Sequence, residues 1–177
     1  MRIPQKEIAA QAEHLREALR AHPEVEVGAG RDMPLLRVGR EKLLEVMRGL
    51  RDGPMRFDCC SFVTAVDHIG EKPRFEVVYV LQATARNRWL RVKTFCGEFD
   101  AHVPSIAGIW PGSNWHEREV WDMFGIRFEG HPDLRRLLMP DGYGHHPLRK
   151  DFPRDGIEPG RLFREWESKR PRPEAGR

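Results

Sequence analysis

Apolar residues recur at helical spacing in the first stretch of the chain. Ile8, Ala12, Leu15 and Leu19 share one face, and the spacing predicts a helix over 4–22 with Pro4 in its first turn. His22-Pro23 ends it, because the residue before a proline is pushed out of the helical region. Short apolar runs at 25–27 and 35–38 predict two brief strands, with Gly28-Ala29-Gly30 as the turn after the first. Leu43, Leu44, Met47 and Leu50 form a second helical stripe, which predicts a helix over 39–51 stopped by Asp52-Gly53-Pro54. The period then changes. Phe75, Val77, Tyr79 and Leu81 alternate along 74–83, and 57–69 and 89–95 also read as strands. The links at 70–73 and 85–88 are short enough for antiparallel hairpins. Two helices followed by a β-meander give an α+β fold, with the helices packed on a mainly antiparallel sheet.

A further helix is predicted over 114–124, after the Pro111-Gly112 turn, with Ser113 as N-cap and Gly125 as C-cap. On a helical wheel Glu117 falls between Phe124 and Trp121, inside the apolar arc that Val120 and Met123 complete. A carboxylate there is costly without partners, so Glu117 is expected to meet an arginine or backbone donors and to lock the following segment or a partner onto the helix. Arg118 and Asp122 lie on the other side, spaced to pair with each other.

Composition shifts at Glu129. Seven of the 14 prolines and six of the 16 glycines follow it, and no sustained period remains. Such a segment cannot build its own core. The predicted division is therefore an α+β domain at 1–128 and an extended, partner-wrapping arm at 129–177. Leu134, Leu137, Leu138, Met139, Leu148, Phe152, Leu162, Phe163 and Trp166 are its apolar anchors, and 169–177 is expected to fray. Anchors this widely spaced suggest folding on binding.

Thirty Lys+Arg stand against 27 Asp+Glu, a balance that gives no general pull toward nucleic acid or anionic lipid. Three cysteines, Cys59, Cys60 and Cys96, make no disulfide framework, and reduced thiols are the default expectation. The longest apolar run, 77–81, falls far short of a membrane span, and the N-terminus lacks the apolar region of a signal peptide. His116-Glu117-Arg118-Glu119 fails as a zinc motif, since position 120 is valine where a second histidine is needed. A self-standing metal enzyme could instead gather His116, Glu119, His131 and His146, and Asp141 and His145 lie near enough in the chain to join them. No dinucleotide fingerprint, phosphate loop or serine elbow is present. A basic, aromatic stretch at 86–93 admits an RNA-binding reading, against the simpler one of a solvated sheet face.

The stretch Glu117-Arg118-Glu119-Val120-Trp121-Asp122-Met123-Phe124-Gly125, continuing through His131-Pro132-Asp133-Leu134-Arg135-Arg136-Leu137-Leu138, closely resembles the C-type subunit family of proton-pumping NADH:quinone oxidoreductase, respiratory complex I. His146-Pro147-Leu148-Arg149-Lys150-Asp151-Phe152-Pro153 resembles its second block, so the likeness is nearly continuous over 110–153. Where the family usually has Gly-His-Pro this chain has His145-His146-Pro147, and a histidine restricts the backbone more than a glycine.

The resemblance implies a cofactor-free structural subunit of the hydrophilic arm, held at the cytoplasmic face of the bacterial inner membrane through its partners. FMN and iron–sulfur clusters are then expected in other subunits, and the hydrogenase-like subunits that form the quinone site are expected neighbours. The complex transfers electrons from NADH to quinone and translocates protons. Residues expected to hold the arm or a partner are Glu117, Arg118, Asp122, His131, Arg135, Arg136, His146, Arg149, Lys150 and Asp151. An equivalent subunit of a membrane-bound hydrogenase or dehydrogenase with another electron donor is the alternative. A chain stopping at Arg177 is expected not to be the form fused to a large catalytic subunit.

Overall fold

The computed structural model describes residues 4–157. Helix α1 (Gln5–Ala18) leads into a hairpin of β1 (Glu26–Ala29) and β2 (Pro34–Arg37). A single 3-10 turn opens α2 (Leu43–Asp52), and the meander β3 (Cys59–Asp67), β4 (Phe75–Ala83) and β5 (Arg88–Cys96) follows. The chain closes with β6 (His102–Pro104), α3 (Ser113–Phe124) and β7 (Arg127–Glu129). The result is the α+β architecture that the change of period indicates.

The five-stranded sheet runs β1-β2-β5-β4-β3. All neighbours are antiparallel except β2 and β5, which pair in parallel. β4 lies between β5 and β3 and is buried along nearly its whole length. Phe75, Val77, Tyr79 and Leu81 point into the core with Val63, Ala65, Leu90 and Val92. Each large apolar side chain buried in this way contributes about 1.5–3 kcal/mol. β6 and β7 form a separate parallel pair that brackets α3, and α3 packs over β3.

Three local expectations need correction. Gly28 and Ala29 belong to β1, opposite Leu35 and Pro34, and are not the turn. The first turn of the 39–51 helix is 3-10, so α2 proper begins at Leu43. Ser113 is the first residue of α3 and does not cap it: its hydroxyl donates to the Trp110 carbonyl at 2.9 Å. Gly125 does end α3, in the left-handed region at φ +78°.

Candidate partner-docking site

α3 is buried on more sides than its apolar arc suggests. Glu117, Arg118 and Asp122 are all buried, and Arg118 and Asp122 do not pair with each other. Each instead holds the chain that follows β7. Arg118 donates from Nε to the Arg135 carbonyl at 3.1 Å and from a terminal nitrogen to the Arg136 carbonyl at 3.0 Å. Its guanidinium lies over the half-exposed Trp115 ring at 4.9 Å. One Asp122 oxygen accepts three successive backbone N–H groups, of Leu137, Leu138 and Met139, at 3.0, 2.7 and 2.9 Å. The other accepts from Arg136 at 2.5 Å. Burial opposes ionisation of Asp122, but these donors outweigh it and hold the carboxyl below its usual value.

The end of α3 is closed by the same segment. The last carbonyls of a helix have no partner within it. Here the Asp122 carbonyl accepts from His146 Nδ1 at 2.9 Å, and the Met123 carbonyl accepts from the Leu148 N–H at 3.0 Å. Burial depresses the His146 pKa and favours the neutral ring. Position 145 tolerates histidine because its backbone avoids the left-handed region. The His145 ring meets Tyr143 edge-on at 5.5 Å.

A second anchor lies where the β3–β4 hairpin closes. Asp67 accepts two bonds from Arg74, both at 2.8 Å, and one from the Lys150 N–H at 2.8 Å. Arg74 also pairs with Glu98 at 2.6 Å and Asp151 at 3.0 Å. The Arg74 guanidinium holds both Asp67 and Asp151 below the usual carboxylate range. Sequence reasoning missed Asp67, Arg74 and Glu98. The available signal was phase: Asp67 continues the inward positions Val63 and Ala65 at period two.

Of the remaining singled-out residues, Glu117 accepts from the Ser105 hydroxyl at 2.6 Å and the Ile106 N–H at 2.7 Å, with no arginine partner among the described residues. His131 bonds the Asn114 carbonyl and the Asp133 N–H. Arg135 is exposed and pairs with Asp133 at 2.9 Å. Arg149 lies over Phe75 at 5.1 Å, and its Nε is buried with no acceptor among the described residues. Leu134 and Met139 pack against the core, whereas Leu138 and Leu148 are exposed. Leu162, Phe163 and Trp166 lie outside the described residues.

These groups join one segment of the chain to another; none is a nucleophile set against a base. Among the described residues no three His, Cys, Asp or Glu side chains are placed to share a metal ion. His131 and His146 have ring nitrogens engaged by the backbone instead. A cavity of about 1310 Å³ lies beside Gln5, Arg31 and Trp89 with no residue of α3 in its lining, and its Asp32 and Arg91 pair with each other at 2.9 Å. Lys93 pairs with Glu76 at 2.6 Å, so the basic strand spends these charges within the chain. No helix among the described residues is long and apolar enough to cross a membrane.

The family model described as "Respiratory-chain NADH dehydrogenase, 30 Kd subunit" matches residues 36–158, a span that includes the meander β3–β5, α3 and both anchors. The chain belongs to this family. It is 48% identical over 134 residues to the C 2 subunit of NADH-quinone oxidoreductase from Rhizobium meliloti (strain 1021), covering 75% of this chain and 72% of that one. It is 47% identical to the C/D subunit of NADH-quinone oxidoreductase from Chromohalobacter salexigens over 71% of this chain, but only 22% of that longer protein. Among solved structures, the trypsin-resistant fragment (1-134) of Nqo5 superposes with a TM-score of 0.60 at 28% identity, covering 69% of this chain and 98% of the fragment. A chain of an archaeal membrane-bound sulfane sulfur reductase superposes with a TM-score of 0.71 at 25% identity, over 90% of this chain and 92% of that one.

Proposed function

We propose that this subunit is a cofactor-free, non-catalytic assembly and positioning part of the peripheral arm of a proton-translocating NADH:quinone oxidoreductase, on the cytoplasmic side of a bacterial inner membrane. Its partners are other hydrophilic-arm subunits, above all the hydrogenase-like pair around the quinone site. Flavin and iron–sulfur chemistry belong to those neighbours.

The observation that carries this reading is the treatment of the segment after β7. Residues 130–157 contain no helix or strand, yet Asp122 and Asp67 hold their backbone N–H groups in place. Cations and apolar groups are thereby sorted. Arg74, Arg118 and Arg136 are spent within the chain, while Leu138, Leu148 and Lys150 face outward. Arg149 is stacked on Phe75 and has no hydrogen-bond acceptor among the described residues. A guanidinium already held in position loses less side-chain entropy on meeting a partner. Within a division into a domain at 1–128 and an arm at 129–177, the arm's first part supplies a fixed docking edge on the subunit's own body.

A second reading is the equivalent subunit of a related membrane-bound complex with another electron donor. The likeness to the archaeal sulfane sulfur reductase chain supports it.

The test is capture of the tagged chain from mildly solubilised native membranes, with NADH:quinone oxidoreductase and iron assays on the eluate and on the chain expressed alone. Co-elution of activity and iron, with neither in the isolated chain, is the expected result. Elution alone, or stoichiometric metal in the isolated chain, overturns the reading. Iron–sulfur partners without NADH oxidation select the second reading.

A further inference from the structure

Glu117 takes no part in the docking contacts, yet it is fully buried. Among the described residues its surroundings supply hydrogen bonds but no lysine or arginine charge. The Ser105 hydroxyl and Ile106 N–H donate to its two oxygens, and Ser105 Oγ in turn accepts from the Ala107 N–H at 3.2 Å. From β3 the neighbouring titratable group is the Cys60 thiol, which burial pushes up to about 12. From β4 it is the Tyr79 hydroxyl, buried without a hydrogen-bond partner among the described residues and held neutral by burial. On the helix itself, Arg118 is turned to the Arg135 and Arg136 carbonyls, and His116 makes no ion pair with Glu117.

That leaves His131, whose Nε2 lies 3.9 Å from the Glu117 carboxylate with both side chains buried. Its tautomer is fixed by geometry. The Asp133 N–H donates to Nδ1 at 3.0 Å, so Nδ1 is an acceptor and the ring proton sits on Nε2, donated to the Asn114 carbonyl at 3.2 Å. A second ring proton would have to displace the Asp133 bond. Both ring nitrogens of this base are thus engaged by the backbone.

We propose that Glu117 is a proton-binding site built into the subunit, its buried carboxyl held between the Ser105 hydroxyl and the Ile106 N–H with no cation bonded to it among the described residues. A buried acid without a counter-ion favours its neutral form. Two donors keep the ionised form accessible, and burial with those donors places the titration at about 7. The site joins α3 to the turn after β6, and β6 pairs with β7, from which the docking segment leaves. Proton uptake is therefore coupled to the junction that launches that segment. The linkage has a definite sign. The folded carboxyl titrates above its ordinary value of 4.5, so the folded chain retains a proton that the unfolded chain releases. Stability from this group is complete below that ordinary value and declines as pH rises through about 7.

The experiment follows glutamate carboxyl carbons by NMR in the full-length chain from about pH 5 to about pH 9. One carboxyl with a midpoint near 7 is expected, absent from Glu117→Gln. Ser105→Ala removes a donor to the anion and is expected to raise the midpoint by about one pH unit. His131→Gln is expected to leave the titration in place. A Glu117 carboxyl ionised throughout the range, or a titration lost with His131→Gln, overturns the proposal. The last two variants keep the test decisive if Glu117→Gln does not fold.

Discussion

Gly125 and His146 are built against each other. A Cβ at position 125 would lie 2.7 Å from the His146 ring, whose Nδ1 caps the Asp122 carbonyl one turn back. Position 125 is thus restricted twice, by its left-handed backbone at φ +78° and by the ring above it. Gly125→Ala is expected to cost about 1–3 kcal/mol, read as a shift of the denaturation midpoint. In a His146→Ala background the same change should cost less, because the contact is gone and only the backbone term remains. Equal losses in both backgrounds would rule out the contact as a source of the cost.

Asp122 holds three main-chain donors and one guanidinium, so its replacement by the isosteric amide is diagnostic. In Asp122→Asn an NH2 group must face either Arg136 or the three N–H groups of 137–139. The expected loss is about 3 kcal/mol, with faster proteolysis within 136–157. The pH dependence runs opposite to that of Glu117. The Asp122 pKa lies below its ordinary value of 3.8, so its contribution is present above that value and is lost as pH falls through the depressed one. Acid titration of wild type and variant should therefore converge at low pH.

Much of this arrangement is legible from residue types. The change from helical to alternating period gives the α+β order, and the wheel position of Glu117 gives a buried acid in need of donors. The parallel β2–β5 pairing is not legible, because it joins strands far apart in sequence whose local patterns carry no mark of a partner. Nor is the docking of 130–157 on its own domain. The groups that Asp122 and Asp67 hold are backbone N–H, which any residue but proline supplies at 137–139 and 150. The i,i+4 spacing of Arg118 and Asp122 suggests a surface pair, but here tertiary acceptors and donors outcompete it. Asp67 lies in phase with buried strand positions, where a charge should have raised the question of its partner.

Arg74 faces three carboxylates, and its fork matters more than its charge. Arg74→Lys keeps the cation but cannot make the two parallel bonds to Asp67 while also reaching Glu98 and Asp151. A loss of about 2 kcal/mol is expected. Asp67 and Asp151 are held below 3.8, so the difference should shrink as acid protonates them. An unchanged denaturation midpoint for the lysine variant would show that charge alone suffices.

Arg149 and Lys150 sit at the second anchor but do different work from Arg74. The Lys150 N–H, not its side chain, holds Asp67, and the Arg149 guanidinium rests on Phe75 without an acceptor among the described residues. Truncating Lys150 breaks no hydrogen bond or ion pair among the described residues, while truncating Arg149 removes its stacking on Phe75, worth about 0.5–2 kcal/mol. If these cations meet a neighbouring subunit, Arg149→Ala and Lys150→Ala should lower recovery of the assembled complex several-fold, with Arg149→Ala the more severe. The isolated chain should unfold within about 1–2 kcal/mol of wild type. Comparing recovery with denaturation of the same variants separates the two effects. Unchanged assembly with lost turnover would move these residues from docking to the chemistry of the complex.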